Sequence, residues 1–371
     1  MNNEIRLKNN LMLNLFERDT TSGRVYLPFL DGLRFLAISA VFIQHVQNHF
    51  SHDLQLDFFS ILIDKWRFGV ELFFIISGFI LCLPFAENQL NGKPKIQLKN
   101  YYLRRVTRIE PPYVINLIVY LVILLFISNK NLIDLIPHFF ASLFYVHNLI
   151  FKTGSEINPV CWSLEIEIQF YLFAPFFSQI FKIRNKLFRR VSFFLISVVS
   201  IIISKILVKY YITPINIFTY LPYFMVGFVL VDIWVSEWKS ALPNSSLFFE
   251  ILSIVGWILL PITFYWDFPF RVILTSMYLF ILLLSTFKGT FILKILNIRI
   301  IRIIGGMCYT IYMFHPLGID LISKYLPIFD SLVIYNSIFQ SVIIFLFSVP
   351  IFMILFLFVE KPFMKLNITR R

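Results

Sequence analysis

The chain has 371 residues, of which 58% are hydrophobic, 18% aromatic and 15% charged. Soluble domains carry roughly 45–50% apolar and about 25% charged residues, so a soluble fold of this length is excluded. The formal net charge is +12, but the basic residues fall in short clusters between apolar runs, a membrane-topology pattern that needs no nucleic-acid partner.

Residues 1–27 are polar, mixed in charge and without a secretory signal, and read as a cytoplasmic N-terminal segment. A run of about 20 apolar residues crosses the roughly 30 Å of hydrocarbon in a bilayer. Ten such runs are predicted, at 28–48, 68–86, 111–128, 162–181, 191–208, 218–235, 248–264, 271–287, 303–322 and 336–359. A weaker stretch, 132–151, is interrupted by Pro137, His138, His147 and Asn148 and reads as re-entrant or interfacial. Residues 28–362 are thus expected to form one all-α membrane domain, a bundle of about ten transmembrane helices, with 363–371 as a tail. Ten crossings put both termini on one side. Lysines and arginines favour the segments on that side by roughly three to one, which makes both termini cytoplasmic. Cys82, Cys161 and Cys308 are scattered, with no paired spacing of the kind metals use, and no metal site is expected.

A charge within hydrocarbon costs several kcal/mol and points to function by default. In the first run, Arg34 and His45 are separated by eleven residues. Eleven steps of about 100° come to three turns plus roughly 20°, so both share a face, about 16 Å apart along the axis. Arg34 lies toward the cytoplasm and His45 toward the outer face. The alternative is that Arg34 snorkels inward and His45 bonds a neighbouring helix. In the second run Glu71 lies near the outer end, where a solvated helix start would serve equally. Ser77-Gly78, midway, fits either a polar pocket or a close helix crossing.

Before the third run come Arg104, Arg105 and Arg108. Arg104 and Arg108, four residues apart, form a fork suited to a phosphate or pyrophosphate, or else anchor to lipid headgroups. The fourth run begins Trp162-Ser163-Leu164-Glu165-Ile166-Glu167. Glu165 and Glu167 point about 200° apart, whereas Glu167 and Tyr171 share a face and can line one pocket. Glu165 suits a helix start, where a carboxylate complements the dipole. In the ninth run His315 precedes Pro316 and is placed to satisfy a backbone carbonyl freed by that proline. His49, His52, His138 and His147 sit at interfaces and carry no assignment. His45, Glu71, Glu167 and His315 all fall in the outer half, and histidine plus carboxylate is the minimum for general-base work on a hydroxyl. No G-x-S-x-G, H-E-x-x-H or P-loop pattern occurs.

Taken in order, these segments resemble the acyltransferase 3 family of bacterial multipass membrane O-acyltransferases, which act on sugars. The resemblance runs from Leu30-Asp31-Gly32-Leu33-Arg34 through His45, then Gly69-Val70-Glu71-Leu72-Phe73-Phe74 with Ser77-Gly78-Phe79. It continues with Arg104-Arg105, Arg108-Ile109, Pro111-Pro112-Tyr113, Trp162-Ser163-Leu164 with Glu167, Gln169-Phe170-Tyr171 and Pro175, and closes with Tyr309, Tyr312 and His315. It covers roughly residues 27–362. Two positions depart from it: Ile168 stands where many members carry a second glutamate, and Glu110 where a small or apolar residue often precedes the prolines.

The resemblance implies transfer of an acyl group, acetyl first among the candidates, from cytoplasmic acyl-CoA to a hydroxyl of a cell-surface glycan or glycolipid. Arg34 and His45 match the family's essential arginine–histidine pair, and Glu167 its first glutamate after Trp-Ser-Leu. Arg105 and Arg108 fall in its acyl-CoA-associated arginine motif, with Arg104 beside them. His45 would be the general base, balanced by Glu167, with an acyl-histidine intermediate left open. Glu71, Ser77, Tyr171 and His315 would line the substrate pocket. The expected setting is the bacterial cytoplasmic membrane, among its lipids and without a metal. Some members carry a C-terminal esterase-like domain that this chain is too short to hold. The rival reading is a transporter or flippase for a glycolipid or small anion, for which no inverted repeat is visible.

Overall fold

In a computed structural model of the chain, the described residues are 13–18, 26–50, 66, 68–210, 213–263, 270–324 and 333–364. His52, most of the N-terminal segment 1–27 and the tail beyond residue 364 lie outside them. The long elements are α1 (Pro28–Phe50), α2 (Phe68–Asn91), α3 (Leu98–Phe126), α4 (Leu132–Leu143), α5 (Trp162–Phe177) and α6 (Lys186–Tyr210). There follow α7 (Ile217–Ser236), α8 (Leu247–Thr263), α9 (Arg271–Lys288), α10 (Arg299–Gly306), α11 (Cys308–Ser323) and α12 (Val333–Leu355). No strand occurs among the described residues.

Each of the ten predicted runs falls on one helix or on two in succession, and the helices are not equivalent. Seven among the described residues are long and apolar enough to cross a membrane: α1, α2, α3, α6, α7, α9 and the final stretch Phe339–Met364. α5 and α8 have 16 and 17 residues, about 24–26 Å of helix, short of a roughly 30 Å core. α5 runs on into the 3₁₀ turn Ser178–Lys182, which at about 2 Å per residue adds roughly 10 Å. The run 303–322 is not one helix: α10 and α11 meet at Met307 with a bend of 75°. Gly305 and Gly306 stand immediately before the bend, where the missing side chains weaken the helix. α4, with 12 residues, is too short to cross. Its exposed Ile133, Ile136 and Phe140 are apolar groups that an interfacial helix would bury in lipid.

The helices sort into two compact units. One comprises residues 1–69, 104–113 and 293–371, the other 70–103 and 114–292. In the first, α1 packs among α10, α11 and α12. Glycines permit the close crossings. A Cβ at Gly32 would strike the Leu296 backbone, and one at Gly305 would strike the Asp31 carbonyl oxygen. Phe42, fully buried, meets Phe345 at 5.1 Å and Phe352 at 6.2 Å, edge to face; such pairs contribute about 0.5–1.5 kcal/mol each beyond burial.

The second unit is built on α7, a helix apolar on all sides and therefore buried on all sides. Gly78 of α2 and Gly227 of α7 interlock, each against the other helix's backbone. Phe170 stacks on Phe224 at 3.8 Å, and Phe181 and Phe193 close on Phe228. Near the end of α7 the buried Asp232 accepts from Arg189 Nε and, at 2.8 Å, from Arg190 Nε. On α6, Phe194, Val199, Ile202 and Ile206 are exposed. Such a stripe is stable only against lipid or a partner.

Candidate active site

In the first unit, α1 runs unbroken from Pro28 to Phe50, so the eleven-residue interval between Arg34 and His45 is kept. The inner part of this helix carries a charge cluster. Arg34 Nη1 donates to Asp31 Oδ1, one turn back, and Arg18 Nη1 donates to the same oxygen at 3.1 Å. The Tyr26 hydroxyl donates to Asp31 Oδ2 at 3.0 Å. The carboxylate side chain is 2% exposed. Asp31 therefore offsets the cost of placing Arg34 within an apolar run, a role that its position three residues before Arg34 signals only in retrospect. Burial, the Asp31 charge and the hydrogen bond to it push the Tyr26 hydroxyl up to about 12.

The sequence pattern gives no sign of a second carboxylate beside these arginines. Glu360 ends a π-helical turn, Phe356–Glu360, and is fully buried. Its Oε2 accepts from Thr310 N at 3.1 Å and Thr310 Oγ1 at 2.6 Å, while Oε1 stands 3.9 Å from Arg108 Nη2. The Tyr309 hydroxyl donates to the Ile109 carbonyl at 2.9 Å, fixing the arginine-bearing segment of α3 to α11. Arg104, Arg105 and Arg108 are each partly buried there. Burial holds the Arg18 guanidinium down to about 9, and repulsion from Arg108 and Arg34 adds to this. Among the described residues of this cluster, Arg18, Arg34 and Arg108 outnumber Asp31 and Glu360, and an anion brought there would relieve the repulsion between the arginines. The chemistry of the group fits the phosphates of a nucleotide-bearing acyl donor.

Further along α1, His45 faces α11. The His45 and His315 rings stand 4.6 Å apart, edge to face. His315 is fully buried, its Nδ1 is 2.8 Å from the Tyr312 carbonyl, and its Nε2 has no hydrogen-bond partner. Tyr312 lies four residues before Pro316, so its carbonyl is the one that the proline leaves without a helical donor. The expected capping role of His315 is what the geometry shows, and the ring also abuts His45. His49, one turn beyond His45, has Nδ1 at 3.4 Å from Asp320 Oδ1.

The second unit brings together three of the other predicted residues. The Ser77 and Tyr171 hydroxyls both donate to Glu167 Oε1, the latter at 2.5 Å. The four-residue spacing on α5 accounts for Tyr171. Ser77 comes from α2, ninety residues away, and the adjoining Gly78 makes the close crossing that was its alternative reading. Glu71 is buried in the first turn of α2, within electrostatic reach of Tyr223. Glu165 is structural: its Oε2 accepts from Asn148 N at 2.9 Å, and Asn148 Nδ2 donates to the Trp162 carbonyl, which ties the turn after α4 to α5. The unassigned His138 and His147 are hydrogen-bonded to each other at 2.8 Å. Among the described residues no three His, Cys, Asp or Glu side chains stand together as a metal cage.

Comparison with known proteins adds the chemistry. Residues 27–357 match the family described as the acyltransferase domain. The O-acetyltransferase OatA of Staphylococcus aureus is 26% identical over 329 residues, covering 81% of this chain and 52% of that protein. The peptidoglycan O-acetyltransferase OatA of Listeria monocytogenes is 32% identical over 180 residues, 44% of this chain and 26% of the relative. The chain spans about half the length of the curated Staphylococcus relative. No solved structure matches.

Proposed function

The chain belongs to the acyltransferase-domain family, a multi-pass membrane enzyme that transfers acyl groups, and from that premise we propose that it moves acetyl from cytoplasmic acetyl-CoA to a hydroxyl of a cell-envelope glycan. The observation that carries this is the layout of α1. A positive cluster built on Arg18, Arg34 and Arg108 occupies one end, and the His45–His315 imidazoles stand about 16 Å along the same helix. A donor with phosphates at one end and a thioester on a long arm needs this separation. The relatives named as O-acetyltransferases, one of them of peptidoglycan, support both acetyl and a glycan acceptor.

In this reading ten crossings place both termini in the cytoplasm and the arginines at the inner surface. Arg104, Arg105 and Arg108 hold the donor phosphates, with Arg18 completing the cluster. Arg34, neutralised by Asp31, lines the way toward His45. His45 takes the proton of the acceptor hydroxyl as its oxygen attacks the thioester carbonyl. The carbon–oxygen bond forms, the carbon–sulfur bond breaks, and the imidazolium returns the proton to the leaving thiolate. Glu167, held by two hydroxyl donors, is the functional carboxylate of the second unit, with Glu71, Ser77 and Tyr171 as pocket residues.

Labelled acetyl-CoA presented to the purified chain in proteoliposomes tests the proposal. Label must appear on a muramyl-glycan acceptor in step with free CoA thiol. Thiol release that is independent of the acceptor would refute it.

A further inference from the structure

The His315 imidazole carries a buried nitrogen that capping does not use. Pro316 removes the amide that would have bonded the Tyr312 carbonyl, and His315 Nδ1 fills that place at 2.8 Å. A carbonyl only accepts, so Nδ1 carries a proton. A second proton on Nε2 would bury an uncompensated charge in a residue with no exposure. Nε2 therefore bears a lone pair, and that lone pair has no donor. A buried acceptor left unmet costs about 1–3 kcal/mol. The ring beside it is His45, 4.6 Å away between centroids at an interplanar angle of 68°. A centroid separation of 4.6 Å is short enough for a nitrogen of one ring to come within hydrogen-bond distance of a nitrogen of the other.

We propose that His315 is a positioning residue for the acyl transfer: as one nitrogen of His45 takes the acceptor's proton, the N–H on its other nitrogen donates to His315 Nε2. This inference rests on His45 being the general base. The neutral lone pair, oriented in advance by Pro316 through Tyr312, is a preorganised acceptor for an imidazolium that exists only during reaction. The bond becomes charge-assisted as the imidazolium forms, so it strengthens on the way to the transition state. The unmet acceptor in the resting state is then the visible half of the device.

Three substitutions separate this from capping alone. His315→Asn keeps an N–H near the Nδ1 position and can still cap Tyr312, but has nothing at Nε2. His315→Gln places a side-chain oxygen near the former Nε2. His315→Leu keeps bulk only. The expected result is a fall in kcat of about 10–100-fold for His315→Asn, with KM for acetyl-CoA unchanged. His315→Gln should recover most of that loss, and His315→Leu should not. Wild-type turnover in His315→Asn would overturn the proposal. So would a change confined to the KM for the acceptor, which would make His315 a substrate ligand. His45→Ala is run beside them. If His45→Ala keeps its activity, the general-base reading itself fails. If it is inactive while His315→Asn is not, only the positioning role falls. ¹⁵N NMR of the histidine-labelled wild-type chain needs no variant to fold. It should show His315 with Nδ1 protonated and Nε2 bare, and the reverse tautomer would contradict the proposal.

Discussion

Replacing Asp31 by Asn tests the inner charge cluster most sharply. The substitution keeps size and one acceptor oxygen, but removes the charge that faces Arg18 and Arg34. Breaking a buried ion pair costs about 3–5 kcal/mol. Here the arginine side chains are 20% and 14% exposed, so water recovers part of that, and a loss of about 2–4 kcal/mol is expected. Two measurements report it. Thermal unfolding of the purified chain should shift down. The Tyr26 hydroxyl, pushed up to about 12 by burial first and by Asp31 next, should titrate closer to 10 in the variant. With 17 tyrosines in the chain, that titration is read as the difference between each protein and its Tyr26→Phe counterpart. The sign follows from linkage: a raised tyrosine pKa contributes stability fully present below about pH 10 and lost as pH climbs through about 12. Asp31→Asn should flatten this alkaline loss. Unchanged stability together with an unchanged Tyr26 titration would show that Asp31 does not neutralise the cluster.

Arg108→Ala should raise the KM for acetyl-CoA about tenfold or more with kcat nearly unchanged, since it removes a charge-assisted contact to the donor and nothing at the reacting carbon; steady-state kinetics with varied donor checks this. Gly305→Ala should cost about 1–3 kcal/mol because its Cβ would enter the Asp31 carbonyl, whereas Gly306→Ala, whose Cβ meets only Arg18 Cβ at 3.4 Å, should unfold close to wild type. Tyr171→Phe and Ser77→Ala each remove a bond to Glu167 Oε1, worth about 1.5–3 kcal/mol for a charged acceptor. Because both donors share one oxygen, each partly compensates for loss of the other, and the double variant should lose more than the sum.

Much of this arrangement was legible in the chain. The long apolar runs of α1, α2 and α7 announce themselves because hydropathy averages well over twenty residues. Glu167 and Tyr171 were paired by helical spacing alone, and His315 by the proline that follows it. What escaped were partners supplied from a distance. Ser77 reaches Glu167 from another helix, and Glu360 finds Thr310 across fifty residues. Asp31 stood in view, but a lone acid near the start of an apolar run looks the same whether it faces water or two arginines. The bend at Met307 was hidden because Ile303, Ile304 and Met307 keep the window apolar across a change of direction that only Gly305 and Gly306 hint at. The run 162–181 outlasts α5, since hydrophobicity continues where α-helical hydrogen bonding gives way to a 3₁₀ turn.

The proposed transfer turns on His45 as the group that takes the acceptor's proton. Single-turnover transfer of labelled acetyl from acetyl-CoA to a glycan acceptor, wild type against His45→Ala at saturating substrates, measures that step alone. A fall of about 100-fold or more, the scale of lost general-base catalysis, with donor affinity and unfolding temperature retained, is the predicted result. Transfer at the wild-type rate by a folded His45→Ala chain would contradict it.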